Sequence, residues 1–219
     1  MSGYFIIFLL PMIAGFLAQS WVRKAVARAQ DVPVGMTGAE AAHRILARHG
    51  AMQVRVETSP GGPLSDHYDP REKVIRLSDE IANRNSAAAV AIAAHECGHA
   101  LQHHNAHAMF RARTALAPTA AVASQLWVLP LMLGLFAGYA GLIWVAVALF
   151  SAVLLFHLVT LPVEIDASRR AMRILREDGM VDAQDAPAAR RVLTAAASTY
   201  IVAALTSIAM LIYILGARR

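Results

Sequence analysis

Residues 114–163 read TALAPTAAVASQLWVLPLMLGLFAGYAGLIWVAVALFSAVLLFHLVTLPV, 50 residues without an Asp, Glu, Lys or Arg. About 20 apolar residues as helix span a bilayer core of about 30 Å, so this stretch suffices for two crossings. The glycines of Gly138-Tyr139-Ala140-Gly141 suit a tight reversal between them. Two more stretches carry no charge, Met1 to Val22 and Val192 to Ala217, and each is long enough for one crossing. Arg23 and Lys24 follow the first stretch and no basic segment precedes it, so it reads as a retained anchor rather than a signal peptide. The chain is thus expected to hold four transmembrane helices: one over 1–22, two within 114–163 and one over 192–219.

Composition agrees. Hydrophobic residues make up 57% of the chain and charged residues 16%, against about 45–50% and about 25% for an ordinary soluble domain. The single cysteine, Cys97, excludes an intramolecular disulfide framework. A net charge of +5 raises the question of nucleic acid, but the basic residues follow the spans instead of forming a basic face with aromatic partners, so no nucleic-acid partner is expected. Of the 20 Lys and Arg, 12 lie between the first two spans, 6 between the last two, and only Arg218 and Arg219 on the other side. By the positive-inside rule both charged segments face the cytoplasm and both termini lie outside. The expected surroundings are the lipid bilayer of a cell membrane.

The cytoplasmic segment 23–113 reads as a compact α+β unit. Thr37 and Glu40 have capping-box spacing, followed by an apolar helical face at Ala41, Ala42, Ile45 and Leu46 that Gly50 ends. Residues 53–57 alternate with period two, as a half-buried strand does. After the Ser59–Pro63 loop, residues 66–69 and 73–77 flank an Asp69-Pro70 turn and predict a hairpin in a small antiparallel sheet. Ser86 is the expected N-cap of a long helix running past His99. Segment 164–191 reads as a helix leaving the membrane, with Gly179 at its end and Asp185-Ala186-Pro187 starting the next.

On the long helix stands His95-Glu96-Cys97-Gly98-His99, an H-E-x-x-H pattern. Residues four apart share a helical face, so both imidazoles can approach one ion with the glutamate beside its water. Two neutral histidines suit Zn2+, which lowers the pKa of bound water toward ~7, and Glu96 is placed to act as general base and then acid. With 9 His and 7 Glu in the chain, chance yields roughly 0.01 such patterns. Catalytic zinc takes a third protein ligand. His103 is about 12 Å along a straight helix from His95 and His104 points the opposite way, so neither fits, and His103 serves only if the helix breaks. Glu164 is the first acid after the uncharged stretch and lies on the cytoplasmic side with the histidines, which makes it the candidate ligand. Ser168, four residues on, shares the face of Glu164 and is the candidate hydrogen-bond partner behind the ligands. Cys97, two residues from His95, points away and reads as packing. His157 and Arg169 are candidates to stabilise a substrate carbonyl.

MTGAEAA at 36–42, DHYDP at 66–70, HECGHALQH at 95–103 and LPVEIDASRRA at 161–171 together resemble the YugP-like membrane group of neutral zinc metallopeptidases, over nearly the whole chain. The resemblance implies a zincin-like cytoplasmic unit fused to the membrane helices, with His95, His99 and Glu164 as zinc ligands and Glu96 as catalytic base. A more distant similarity runs to membrane proteases of the prenyl-protein and heat-shock type, whose E-x-x-x-D helix has Ser168 here in place of its aspartate. In such enzymes an extended peptide adds a strand beside the metal helix, which by resemblance assigns Asp66, His67 and Tyr68 to substrate binding. The expectation is a membrane-embedded zinc endopeptidase acting on protein or peptide substrates at the cytoplasmic face. The alternative is a non-catalytic membrane scaffold with a structural metal site. Substrate identity, membrane-protein partners and homo-oligomer formation are left open by the sequence.

Overall fold

A computed structural model describes residues 2–62 and 65–216, with the side chains of residues 2–8 outside the description. Met1 of the first expected span, Pro63 of the expected loop, and Ala217, Arg218 and Arg219 also lie outside it. The described chain is mostly helical: α1 Ser2–Gln30, α2 Gly38–Arg48, α3 Asp79–Asn83, α4 Ala87–His104, α5 Ala108–Leu126, α6 Val128–Ala137, α7 Ala140–Glu177 and α8 Ala186–Gly216. Three strands, β1 Arg55–Ser59, β2 His67–Asp69 and β3 Val74–Ser78, make one small sheet.

The local signals act as their chemistry requires. Thr37 Oγ1 accepts from the Glu40 amide while the Glu40 carboxylate accepts from the Thr37 amide, closing the capping box on α2. Ser86 Oγ accepts from the Ala89 amide and caps α4. Gly50, Gly138 and Gly179 follow their helices at φ of +70°, +64° and +61°, where a Cβ would clash with the backbone.

The sheet departs from expectation. Its order is β1-β3-β2, with β2 antiparallel to β3 but β1 parallel to it. The hairpin forms as read, because Asp69 accepts from the Arg71 and Glu72 amides and reverses the chain. Period-two alternation is the same for either strand direction, so it cannot tell that the β1–β2 crossover sets β1 on the far edge of β3. β1 also starts two residues later than its alternation suggested, at Arg55.

Among the described residues three segments are long and apolar enough to cross a membrane: α5 with α6 (Ala108–Ala137), α7, and α8. The expected first span falls on α1, a 29-residue helix that is not one of these three and begins with side chains outside the description. The outer faces of the three segments are apolar, as Phe136 (88% exposed), Leu205 and Ile212 show. Water disfavours such a surface, and lipid does not. A small cluster of Leu131, Val147, Phe150, Met210 and Ile214 joins α6, α7 and α8 at that end.

The larger core lies at the other end. It gathers α2, α4, the sheet, the last turns of α7 and the first turns of α8. Its axis is α4, whose Ala87, Ala88, Ala89, Ala91, Ala93, Ala94 and Ala100 are wholly buried. Alanine keeps the helix stable and lets α2 and α7 approach closely.

Candidate metal centre

The site forms where α4 crosses α7. A Cβ on Gly98 would stand 2.8 Å from the Ala167 carbonyl oxygen and 3.2 Å from its Cα, so the helices touch there through backbone. His95 and His99 lie three residues before and one after Gly98, and Glu164 and Ser168 stand in the same relation to Ala167. The contact therefore brings both imidazoles and the carboxylate to one point. His95 Nε2 is 3.2 Å and His99 Nε2 3.3 Å from Glu164 Oε2, and one ligand atom from each residue lies within 4.8 Å of the others. Glu164 is 1% exposed.

The network behind these residues tests the site for a cation. Gln102, wholly buried, donates from Nε2 to the Val163 carbonyl (2.9 Å) and to Asp166 Oδ2 (2.8 Å). Its Oε1 is left to accept from His99 Nδ1 at 3.0 Å. With the proton on Nδ1, a neutral His99 turns a bare lone pair at Nε2 toward a carboxylate oxygen. Two lone pairs at that distance repel; a proton on Nε2 or a cation among the three groups relieves the repulsion. Donors held tetrahedrally at 2.0–2.1 Å from an ion are about 3.3–3.4 Å apart, which the Oε2–Nε2 spacings match. Two imidazoles and one carboxylate are also a donor set that leaves zinc an open position. Ser168 Oγ lies 3.2 Å from His95 Nδ1, so each imidazole has a partner behind it.

Glu96 is buried on α4. Burial raises its carboxyl above the ordinary carboxylate range; His95 opposes, the Glu164 and Asp66 charges add, and the Tyr68 backbone amide favours the ionised form. A base with raised pKa accepts a proton more readily than a free carboxylate. Cys97 is wholly buried, its thiol 3.7 Å from the Ala42 carbonyl, and burial pushes its pKa up, which suits packing rather than a thiolate role.

The other predicted residues have specific surroundings. Asp66 Oδ1 accepts from the amide (2.7 Å) and hydroxyl (3.1 Å) of Ser78, tying β2 to the end of β3. His67 Nδ1 lies 2.7 Å from the Ser65 carbonyl. The Tyr68 side chain turns inward, its hydroxyl 2.9 Å from His103 Nδ1 and its ring against Phe110. Their strand is an edge of the sheet packed beside α4. His104 pairs with Gln53, and His107 caps α5 by accepting from the Phe110 amide. His157 lies 2.7 Å from the Ser207 hydroxyl, and Arg169 makes no bond to the cluster.

Sequence reading missed three residues. Gln102 carried a usable signal, since it lies three residues after His99 on the same helical face. Arg113 of α5, whose guanidinium is 3.4 Å from Glu164 Oε1, carried none, because its meeting with Glu164 is tertiary. Tyr200 of α8 also stands by that carboxylate.

Two comparisons with known proteins bear on this geometry. The family model described as "putative neutral zinc metallopeptidase" matches residues 4–219. A relative from Bacillus subtilis (strain 168), the "putative membrane protease YugP", is 41% identical over 174 residues, covering 80% of this chain and 77% of the relative. No solved structure matches the chain.

Proposed function

The chain belongs to the family of putative neutral zinc metallopeptidases, and from that premise we propose that it is a membrane-embedded zinc endopeptidase that cuts membrane or membrane-associated proteins at the cytoplasmic face. The observation that carries the reading is the convergence of His95, His99 and Glu164 beside a buried Glu96.

His95, His99 and Glu164 would hold the zinc, and Glu96 is the catalytic base. Bound zinc supplies Lewis acidity to a substrate carbonyl and to a water. Glu96 takes the proton of the attacking water and passes it to the leaving amide nitrogen, which departs as the amine. Gln102 and Ser168 fix the two imidazoles. Arg113 steadies Glu164 from the side away from the histidines. An extended peptide adds to the β2 edge at Asp66, His67 and Tyr68, in contact through backbone and so with little sequence preference. α1 makes a fourth crossing, both termini lie outside, and no nucleic acid takes part.

The test is comparative membrane proteomics of cells carrying wild type or Glu96→Gln, with zinc content measured on both purified proteins. Uncut substrates accumulating with Glu96→Gln while zinc stays bound is the expected result. Zinc retained by both proteins with identical membrane proteomes and no cleavage of an unfolded substrate would instead favour the scaffold.

A further inference from the structure

Beside the metal centre, between the last turns of α7 and the first of α8, lies a groove of about 540 Å³. Arg169, Arg173 and Arg176 line it from α7 and Arg190 from α8. The first three are spaced i, i+4, i+7 and share one helical face. All four are exposed, and among the described residues none of their guanidinium groups has a hydrogen-bond or carboxylate partner. Neighbouring Arg170, on another face, does pair, with Asp166 at 2.6 Å. The one acid on the groove is Glu177.

The groove sits at the level where both helices lose their charges, α7 before Glu164 and α8 after Arg191. Its partly exposed apolar residues Ile165 and Ala197 lie toward the uncharged parts of the two helices, and its arginines lie farther toward the charged segment between them. Guanidinium forks match phosphate oxygens, and an apolar strip continuing from them matches an acyl chain. A soluble anion would not need the strip, and an acidic peptide would not need its alignment with the span.

We propose that this groove binds the phosphate headgroup of an anionic membrane phospholipid, with an acyl chain along Ile165 and Ala197. Ser168 lines the same groove and lies 3.2 Å from His95 Nδ1, so the headgroup rests one side chain away from a metal ligand. Binding rests on the membrane reading and is independent of peptide hydrolysis.

Native mass spectrometry of the purified full chain in non-ionic detergent tests it, titrating phosphatidylglycerol against phosphatidylcholine, inorganic phosphate and a soluble acidic peptide. One phosphatidylglycerol is expected to be retained in preference to phosphatidylcholine. At roughly fivefold per arginine, Arg169→Gln/Arg173→Gln/Arg190→Gln is expected to weaken it about 100-fold. The corresponding triple lysine variant should keep most of the binding, and Arg23→Gln/Lys24→Gln, basic residues flanking the first uncharged stretch, should leave it unchanged. Equal retention of both lipids, undiminished binding by the glutamine triple, or an equal loss in the Arg23/Lys24 variant would overturn the proposal. So would displacement of the lipid by inorganic phosphate or the acidic peptide at comparable concentration. Zinc content and thermal unfolding report whether the triple variant folds; if it does not, Arg173→Gln alone must cost about fivefold.

Discussion

Gln102 decides which nitrogen of His99 faces Glu164. Its amide cannot rotate without losing both donor bonds to Val163 and Asp166, so it holds the His99 proton on Nδ1 and leaves Nε2 open. Ser168 Oγ stands behind His95 at 3.2 Å from Nδ1, orienting the ring without fixing its tautomer. Gln102→Ala and Ser168→Ala are each expected to weaken zinc binding about 10–100-fold, as removal of such partners does, measured by competition with a chromophoric chelator. Glu96→Gln is expected to keep zinc and lose about 10²–10⁴ in kcat/KM. The same carboxyl has a signature in the metal-free protein. Its folded pKa is raised by burial, so the folded state holds that proton more tightly than the unfolded one. The resulting stability is fully present below the unfolded value and is lost as pH rises through the folded one. Thermal unfolding of metal-free wild type should therefore fall relative to Glu96→Gln with rising pH across that window, and parallel curves would contradict the assignment.

At the scale of elements, the site depends on how closely α4 and α7 cross. Gly98 permits backbone contact with Ala167, and the four residues flanking that contact are the two histidines, Glu164 and Ser168. Gly98→Ala must push the helices apart because the atom it meets is a carbonyl oxygen. It is expected to cost about 1–3 kcal/mol in stability, the range for overpacking, and to lower zinc affinity with it. Cys97→Ala, one residue away but facing α2, is expected to keep zinc and activity. Calorimetric unfolding and zinc titration of both variants separate the two cases. α7 matters in another way, since it runs unbroken from Ala140 through Pro162 to Glu177 and so carries Glu164 on the same rod as the apolar span. Pro162 brings no amide to the helix ladder, yet α7 continues through it.

For the whole molecule, the uneven placement of basic residues predicts a topology that cysteine labelling can check. In a Cys97→Ala background, Tyr139→Cys, at the reversal between α6 and α7, should react with an impermeant maleimide in intact cells, whereas Arg84→Cys should react only after permeabilisation; the reverse pattern would overturn the orientation. Much of the molecule was open to sequence reading because its signals are local. Uncharged runs, the Thr37 and Ser86 caps, the glycine helix ends, the Asp69-Pro70 turn and the four-residue spacing of His95 and His99 each act within one or two turns of chain. What depends on two distant segments was not open to it. Strand direction in the sheet, the pairing of Arg113 with Glu164, the groove between α7 and α8, and the contact of Gly98 with Ala167 arise only when the chain closes on itself. Periodicity records which face of a segment is apolar, but not which other segment covers it or how near it comes, and in this protein that nearness brings His95, His99 and Glu164 together.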